Sequence, residues 1–312
     1  MASKTNPVIF MSALRARHRG GPEVLTVERA PVPVPAPGEV LVEVHAAAIT
    51  FDELTWEETW AHTPVIPSHE VSGIVAAVSG DAEFTVGDEV YGLIRFDRDG
   101  AAAEYVTAPA ADLAAKPRSV SHVESAALPL AGLTAWQALV DHAKVQPGER
   151  VLVTGGAGGV GALTVQLAHD LGADVTATVR SDTAASVRGF GADRVVDTRT
   201  EAVDGPYDVV VDTIGGEALD GLFGVLRPGG RLVTLSAPPP EGKADEFGVT
   251  ATFFVVTPNH EELTTLARMV DDGKLEVAIA DTFPLADGRA AFESRDKRPR
   301  KPGKTVLLVR EQ

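Results

Sequence analysis

Two stretches carry residues whose types and spacing could do chemistry. GGAGGVG, Gly155 to Gly161, contains GxGxxG as Gly156, Gly158 and Gly161, with Gly159 and Val160 between them. It follows a short apolar run, RVLVTG, and opens VGALTVQLAHDLG, whose apolar residues recur at helical spacing. A turn without side chains lets a pyrophosphate reach backbone N–H groups and the positive end of the next helix, while Gly161 lets helix and strand pack closely. The chemistry it implies is dinucleotide binding. An Asp or Glu about 20 residues further on would bind the adenosine ribose of NAD. Here the strand DVTATV ends in Arg180 and Ser181 instead. A guanidinium can take a 2′-phosphate bidentately where an acid would repel it, so the expected cofactor is NADPH. The second stretch, IPSHEVSG, sets His69 beside Glu70 and raises the question of a metal. The chain has no cysteine, which excludes disulfides, thiolate nucleophiles and every Cys-containing zinc site.

The elements that must position these groups fall into two rhythms. Residues up to about Ser121 mix Pro-rich connections with short apolar runs such as VLVEVHAAAI (Val40 to Ile49), EVSGIVAAV (Glu70 to Val78) and GDEVYGLI (Gly87 to Ile94). That opening is β-rich. Beyond it, strand and helix patterns alternate: RVLVTG, the helix to Gly172, DVTATV, an Ala-rich helix to Phe190, RVV, YDVVVDT, a helix from Glu217 to Leu226, RLVTLS and VTATFFVV (Val249 to Val256). Such alternation builds a parallel sheet covered by helices on both faces. A helix from about His260 to Asp271 follows, and the terminal KTVLLVR reads as a strand returning to the first part.

At 312 residues and 44% hydrophobic content the chain is long enough for two ordinary domains with real cores. Lys plus Arg number 28 against 44 Asp plus Glu, a net charge of −16, which repels nucleic acid and anionic lipid. The N-terminus has no apolar core of signal-peptide length, and nothing approaches the ~20 apolar residues of a membrane span. We expect a cytoplasmic protein with neither a nucleic-acid nor a membrane partner.

The motifs taken together resemble the medium-chain dehydrogenase/reductase superfamily, specifically its zinc-free quinone oxidoreductase, zeta-crystallin-like branch. They include GGPEVL (Gly20 to Leu25), PAPGEVLVEVHAAAI (Pro35 to Ile49), FTVGDEVYG (Phe84 to Gly92), GAAAEYV (Gly100 to Val106), AALPLAGLTAWQAL (Ala126 to Leu139), VQPGERVLVTGGAGGVG (Val145 to Gly161), LRPGGRLV (Leu226 to Val233) and DGKL (Asp272 to Leu275). The resemblance implies an α/β fold: a GroES-like β-rich catalytic domain from residues 11–122 and 258–312, a Rossmann doubly wound parallel-sheet domain from 123–257, and an N-terminal extension of 1–10. It implies hydride transfer from NADPH to a small conjugated carbonyl or quinone, with Thr134 and the backbone of Phe253, Phe254 and Val255 near the nicotinamide. Thr213, Ile214, Gly215 and Ser236, at ends of successive strands, would flank the cofactor cleft, as ligands do at carboxyl ends of parallel strands. Family members pair their last Rossmann strands across a two-fold axis, so a homodimer through VTATFFVV is expected.

Two departures from the family pattern matter. A Lys and a Tyr that commonly lie near the 2′-phosphate align with Thr183 and Thr198, leaving phosphate recognition to Arg180 and Ser181, with Arg199 as a further candidate. The first catalytic zinc ligand of the metal-dependent relatives, a Cys, aligns with Thr50, and a neutral hydroxyl is a poor zinc ligand. His69 and Glu70 are then a retained outline and no metal is expected, His69 being either a pocket residue or a satisfied core histidine. Without a metal, an enone or quinone is activated by hydrogen bonds and by its own conjugation, and solvent can protonate the product anion. Thr50 is the positional candidate for a donor. Trp56 and Trp60, at i and i+4 in FDELTWEETWAHTP, could share one helical face and wall a flat substrate, or could cover the core. The acids around them, Asp52, Glu53, Glu57 and Glu58, read mostly as a solvated face, with Glu53 aligned to a structural family Asp. A metal-free alcohol dehydrogenase or carbonyl reductase, and a non-catalytic NADPH-binding crystallin-like protein, remain the alternatives.

Overall fold

The run that follows Pro35 forms the strand Glu39–Ile49, with alternate side chains buried up to Val44 and every side chain buried from Ala46 to Ile49. A period of two becomes continuous burial where both faces of the sheet are covered. In the computed structural model, which describes residues 8–180, 182–296 and 301–310, this strand is the spine of a seven-stranded sheet. Glu70–Ser79 pairs antiparallel along one edge. Tyr105–Pro109 and Lys304–Leu308 share the other edge, the first against Glu39 to Glu43 and the second against Ala46 to Ile49. Glu89–Leu93, Leu113–Ala115 and Ile279–Pro284 complete the sheet. The register Thr305↔Ile49 brings the end of the chain beside Thr50.

The second sheet has six parallel strands in the order Arg194–Asp197, Asp174–Val179, Arg150–Val153, Tyr207–Asp212, Leu226–Thr234, Thr250–Phe253. The order reverses between Arg150–Val153 and Tyr207–Asp212, and open α/β sheets bind their ligands outside the strands' carboxyl ends at such a point. Alternation along Arg150–Val153 feeds two cores: Val151 and Val153 pack with Leu163, Val165 and Leu266 on one face, whereas Leu152 packs with Tyr207, Leu222 and Phe223 on the other. Helices on both faces follow from that double burial. The expected α/β class, with a β-rich sheet and a doubly wound parallel sheet, is what forms.

Two expected elements are shorter or different. The last parallel strand covers Thr250–Phe253 rather than Val249 to Val256, because Phe254 leaves the ladder to stack on His142 at 4.3 Å. The segment holding Trp56 and Trp60 is two 3₁₀ helices, Glu53–Thr55 and Glu58–Trp60, so the two rings do not share one α-helical face. Among the described residues, no helix is long and apolar enough to cross a membrane.

Candidate active site

The glycine turn joins the strand Arg150–Val153 to the helix Gly159–Asp170, and its backbone is closed by a hydrogen bond from Gly158 N–H to the Gly155 carbonyl at 2.8 Å. A Cβ at Gly161 would lie 2.1 Å from the Gly155 carbonyl oxygen, and one at Gly156 would lie 2.8 Å from the Ala177 Cβ. Neither position has room for a side chain. A Cβ at Gly158 would meet only the Gly155 carbonyl oxygen, at 3.3 Å, which makes it the least crowded of the three positions. This cradle fits a dinucleotide pyrophosphate: N–H groups at a helix N-terminus, on a turn whose glycines carry no side chains of their own.

Asp212 holds the neighbouring strand ends together. Fully buried, it accepts from Thr154 Oγ1 at 2.8 Å, from the Gly215 N–H at 3.0 Å, from the Ile214 N–H at 3.2 Å and from Thr234 Oγ1 at 3.3 Å. Thr213 is locked alongside, its N–H on Thr154 Oγ1 and its hydroxyl on the Thr154 carbonyl. Gly215 has φ +70 and would drive a Cβ to within 2.5 Å of the Ser236 Cβ. Thr213, Ile214, Gly215 and Ser236 therefore gather at the carboxyl ends of these strands, with Ile214 and Ser236 exposed.

Arg180 is exposed at the end of the strand Asp174–Val179, and Ser181 lies outside the described residues. Arg199 is already engaged. Its guanidinium bonds both Asp197 oxygens and Asp182 at 3.1 Å, which holds the Asp197 carboxyl below its usual range.

Where the two sheets meet, Lys304 crosses from the last strand. Its stem passes the glycine turn so closely that a Cβ at Gly159 would sit 2.4 Å from the Lys304 Cδ. Its ammonium donates to Thr50 Oγ1 at 3.1 Å and forms an ion pair with Glu70. Glu70 is also held by the Leu130 N–H at 3.0 Å, and burial pushes its carboxyl above the usual range. Neither Lys304 nor Asp212 was legible as a site residue, since each is defined by partners distant in sequence. The one signal for Lys304 was a lone cation at the start of an apolar strand expected to return to the first sheet.

His69 is a satisfied core histidine: it is buried, its Nδ1 lies 3.0 Å from Glu53 Oε2 and its Nε2 lies 3.3 Å from the Arg98 carbonyl oxygen. Both partners are acceptors, so each ring nitrogen faces a protein oxygen rather than open space. The reading of Glu53 as part of a solvated face is corrected. It is buried, and it also accepts from the Ser68 N–H at 2.9 Å and the Thr50 N–H at 3.3 Å, while Asp52, Glu57 and Glu58 are exposed. Among the described residues no group of three or more His, Asp or Glu side chains could hold a metal ion.

The tryptophans part company. Trp56 stands edge-on to Phe96 at 5.5 Å, and Phe96 in turn meets the His69 ring at 5.3 Å. Trp60 donates Nε1–H to the Leu54 carbonyl and packs on the separate core of Leu14, Leu54 and Phe292. Thr134 is buried, its hydroxyl spent on the Leu130 carbonyl, and Phe253, Phe254 and Val255 run along the end of the parallel sheet.

Comparison with known proteins matches residues 36–118 to an alcohol dehydrogenase GroES-like domain and residues 190–307 to a zinc-binding dehydrogenase family. A probable zinc-binding oxidoreductase, mitochondrial, of Arthroderma benhamiae is 31% identical, over 91% of this chain and 93% of that one. A chloroplastic NADPH-dependent alkenal/one oxidoreductase of Arabidopsis thaliana is 33% identical, over 87% of this chain and 72% of its own length. The solved quinone oxidoreductase of Coxiella burnetii superposes with a TM-score of 0.88 at 29% identity, covering 97% of this chain and all of that one.

Proposed function

Because the chain belongs to the medium-chain dehydrogenase/reductase superfamily, in its zinc-free NADPH oxidoreductase branch, we propose that it reduces quinones or α,β-unsaturated carbonyls with NADPH. The observation that carries this reading is the state of the His69–Glu70 pair. Both nitrogens of His69 face acceptors, and Glu70 is tied to Lys304 and Leu130. With no cysteine to add, these groups serve hydrogen bonds rather than a Lewis acid, and an acceptor must be activated by conjugation and donors.

NADPH, when bound, supplies the hydride. The chain's part is to bind and orient. Gly156, Gly158, Gly159, Val160 and Gly161 cradle the pyrophosphate; Arg180, with Ser181, takes the 2′-phosphate; Thr213, Ile214, Gly215 and Ser236 line the crevice wall. Thr134 and the backbone of Phe253 to Val255 border the nicotinamide position. Thr50 stands at the acceptor's carbonyl and Trp56 beside it, whereas the packing of Trp60 favours a core role.

The sheet membership of Lys304–Leu308 and Ile279–Pro284 supports a catalytic domain from residues 11–122 and 258–312 around a cofactor domain from 123–257. The exposed edge of Thr250–Phe253 supports a homodimer, and the net charge of −16 supports a protein without nucleic-acid partners.

A panel of enones, quinones, aldehydes and simple ketones tests the reading, with NADPH oxidation and product mass as readouts. Conjugated acceptors react and isolated ketones do not; NADPH binds more tightly than NADH, and Arg180→Ala narrows that gap about tenfold. Equal turnover of enones and simple ketones overturns the reading in favour of a carbonyl reductase. NADPH binding without turnover of any acceptor leaves a non-catalytic binding protein.

A further inference from the structure

Resting on that reading, we propose that Thr50 and Lys304 form the site that receives the acceptor's carbonyl oxygen, Thr50 as the hydrogen-bond donor and Lys304 as the positioning cation behind it. A lysine ammonium has three hydrogens to donate and nothing with which to accept. In the 3.1 Å contact between Lys304 Nζ and Thr50 Oγ1, the hydroxyl oxygen is therefore the acceptor. Its own hydrogen must point elsewhere. No acceptor for that hydrogen is found among the described residues, and Thr50 is half-buried rather than sealed off. The donor is also fixed in place: Glu53 takes the Thr50 N–H, and the register of Lys304–Leu308 on Glu39–Ile49 sets the lysine opposite.

The placement relative to the cofactor cradle comes from the same strand. Gly303 N–H donates to the Ala157 carbonyl at 3.1 Å, and Gly158 and Gly303 form an isolated bridge. Glycine at 159 leaves the space that the lysine stem fills. The Thr50 hydroxyl thus stands beside the dinucleotide turn, on the side of the β-rich sheet.

A buried ion pair is costly to desolvate and is weak grounds for stability by itself. Lys304 and Glu70 are both nearly inaccessible, with side-chain exposures of 9% and 1%. A positive charge retained there does work where negative charge develops. When hydride reaches the β-carbon of an enone, a C–H bond forms and the C=C pair shifts, leaving the negative charge on the carbonyl oxygen. A hydroxyl polarised by a cation, fixed before the reaction, stabilises that oxygen without reorganisation. A proton from solvent then reaches the α-carbon and restores the carbonyl, so one hydride and one proton are consumed.

The experiment measures kcat and KM for 2-cyclohexen-1-one at saturating NADPH, together with NADPH affinity by fluorescence. Thr50→Val lowers kcat by at least about tenfold while NADPH affinity stays within about twofold, and Thr50→Ser restores most of the loss. Lys304→Met alone strands the buried Glu70, so it is paired with Glu70→Gln; this double variant folds, binds NADPH and still loses kcat about tenfold. Adding Thr50→Val to it costs little more, because the two residues act as one unit. Wild-type kcat in Thr50→Val, or in a folded Lys304→Met/Glu70→Gln protein, overturns the proposal, the latter showing the ion pair to be a staple between strands. If the double variant does not fold, the Val and Ser variants at Thr50 decide alone. A wild type that reduces no conjugated acceptor overturns the function and the site together; one that does, with variants at full turnover, overturns the site only.

Discussion

His122 shows how far a single residue's chemistry depends on partners that its neighbours in sequence do not announce. It is buried, accepts or donates at Ser72 Oγ across 2.7 Å, stacks on His45 at 4.4 Å and meets Glu89 at 3.4 Å. Burial, then the facing His45 and Lys116, hold its imidazole down to about 4 from 6.5, with Glu89 opposing. Burial also lowers His45. The unfolded chain takes up these protons near 6.5 and the folded chain resists, so stability is intact above that pH and is lost as pH falls towards about 4. Urea midpoints measured between pH 7 and 4 should fall steadily, and His122→Asn should flatten the decline. A midpoint independent of pH over this range contradicts the assignment. Residue-scale legibility divides along the same line. Gly156, Gly158 and Gly161 were readable because their reason is local: a turn between a strand and a helix. Lys304 lies 254 positions from Thr50, and the buried role of Glu53 depends on His69 and Ser68, so neither could be read from a short window.

Elements were legible wherever periodicity was strong, as in Glu39–Ile49 and His260–Asp271, which form within a residue of where the pattern places them. They were less so where a few bulky side chains found tertiary partners. The stacking of Phe254 on His142 shortens the last strand, and the separate packing of Trp56 and Trp60 breaks what spacing alone would allow as one helix. The glycine turn makes an element-scale prediction, because its glycines have different reasons. Gly161→Ala places a Cβ against backbone, so it should both disturb the helix Gly159–Asp170 and abolish cofactor binding. Gly158→Val places its Cβ 3.3 Å from the Gly155 carbonyl oxygen, a far milder approach than at Gly161, so it should lower the thermal midpoint less than Gly161→Ala does while weakening NADPH and NADH alike. Calorimetry and fluorescence titration separate the two. A Gly158→Val protein that binds NADPH normally would show that the pyrophosphate does not lie on this turn.

At the scale of the whole molecule, the two sheets meet through the last strand, which belongs by pairing to one sheet and by its glycine and lysine contacts to the turn of the other. The parallel sheet ends on Thr250–Phe253, with Val255 exposed just beyond it, and an unpaired edge of this kind needs a cover. A second copy pairing the same edge gives a continuous sheet, so light scattering at micromolar concentration should report twice the 32.6 kDa chain mass. A monomer would leave that edge to another cover. In the proposed reaction a conjugated acceptor is reduced at carbon, without a metal, by hydride from NADPH. The most direct measurement uses NADPH carrying deuterium at the transferred position, with 2-cyclohexen-1-one as acceptor and the product read by nuclear magnetic resonance. The expected product is cyclohexanone with deuterium at the β-carbon. Cyclohexenol with deuterium on the carbinol carbon would contradict it.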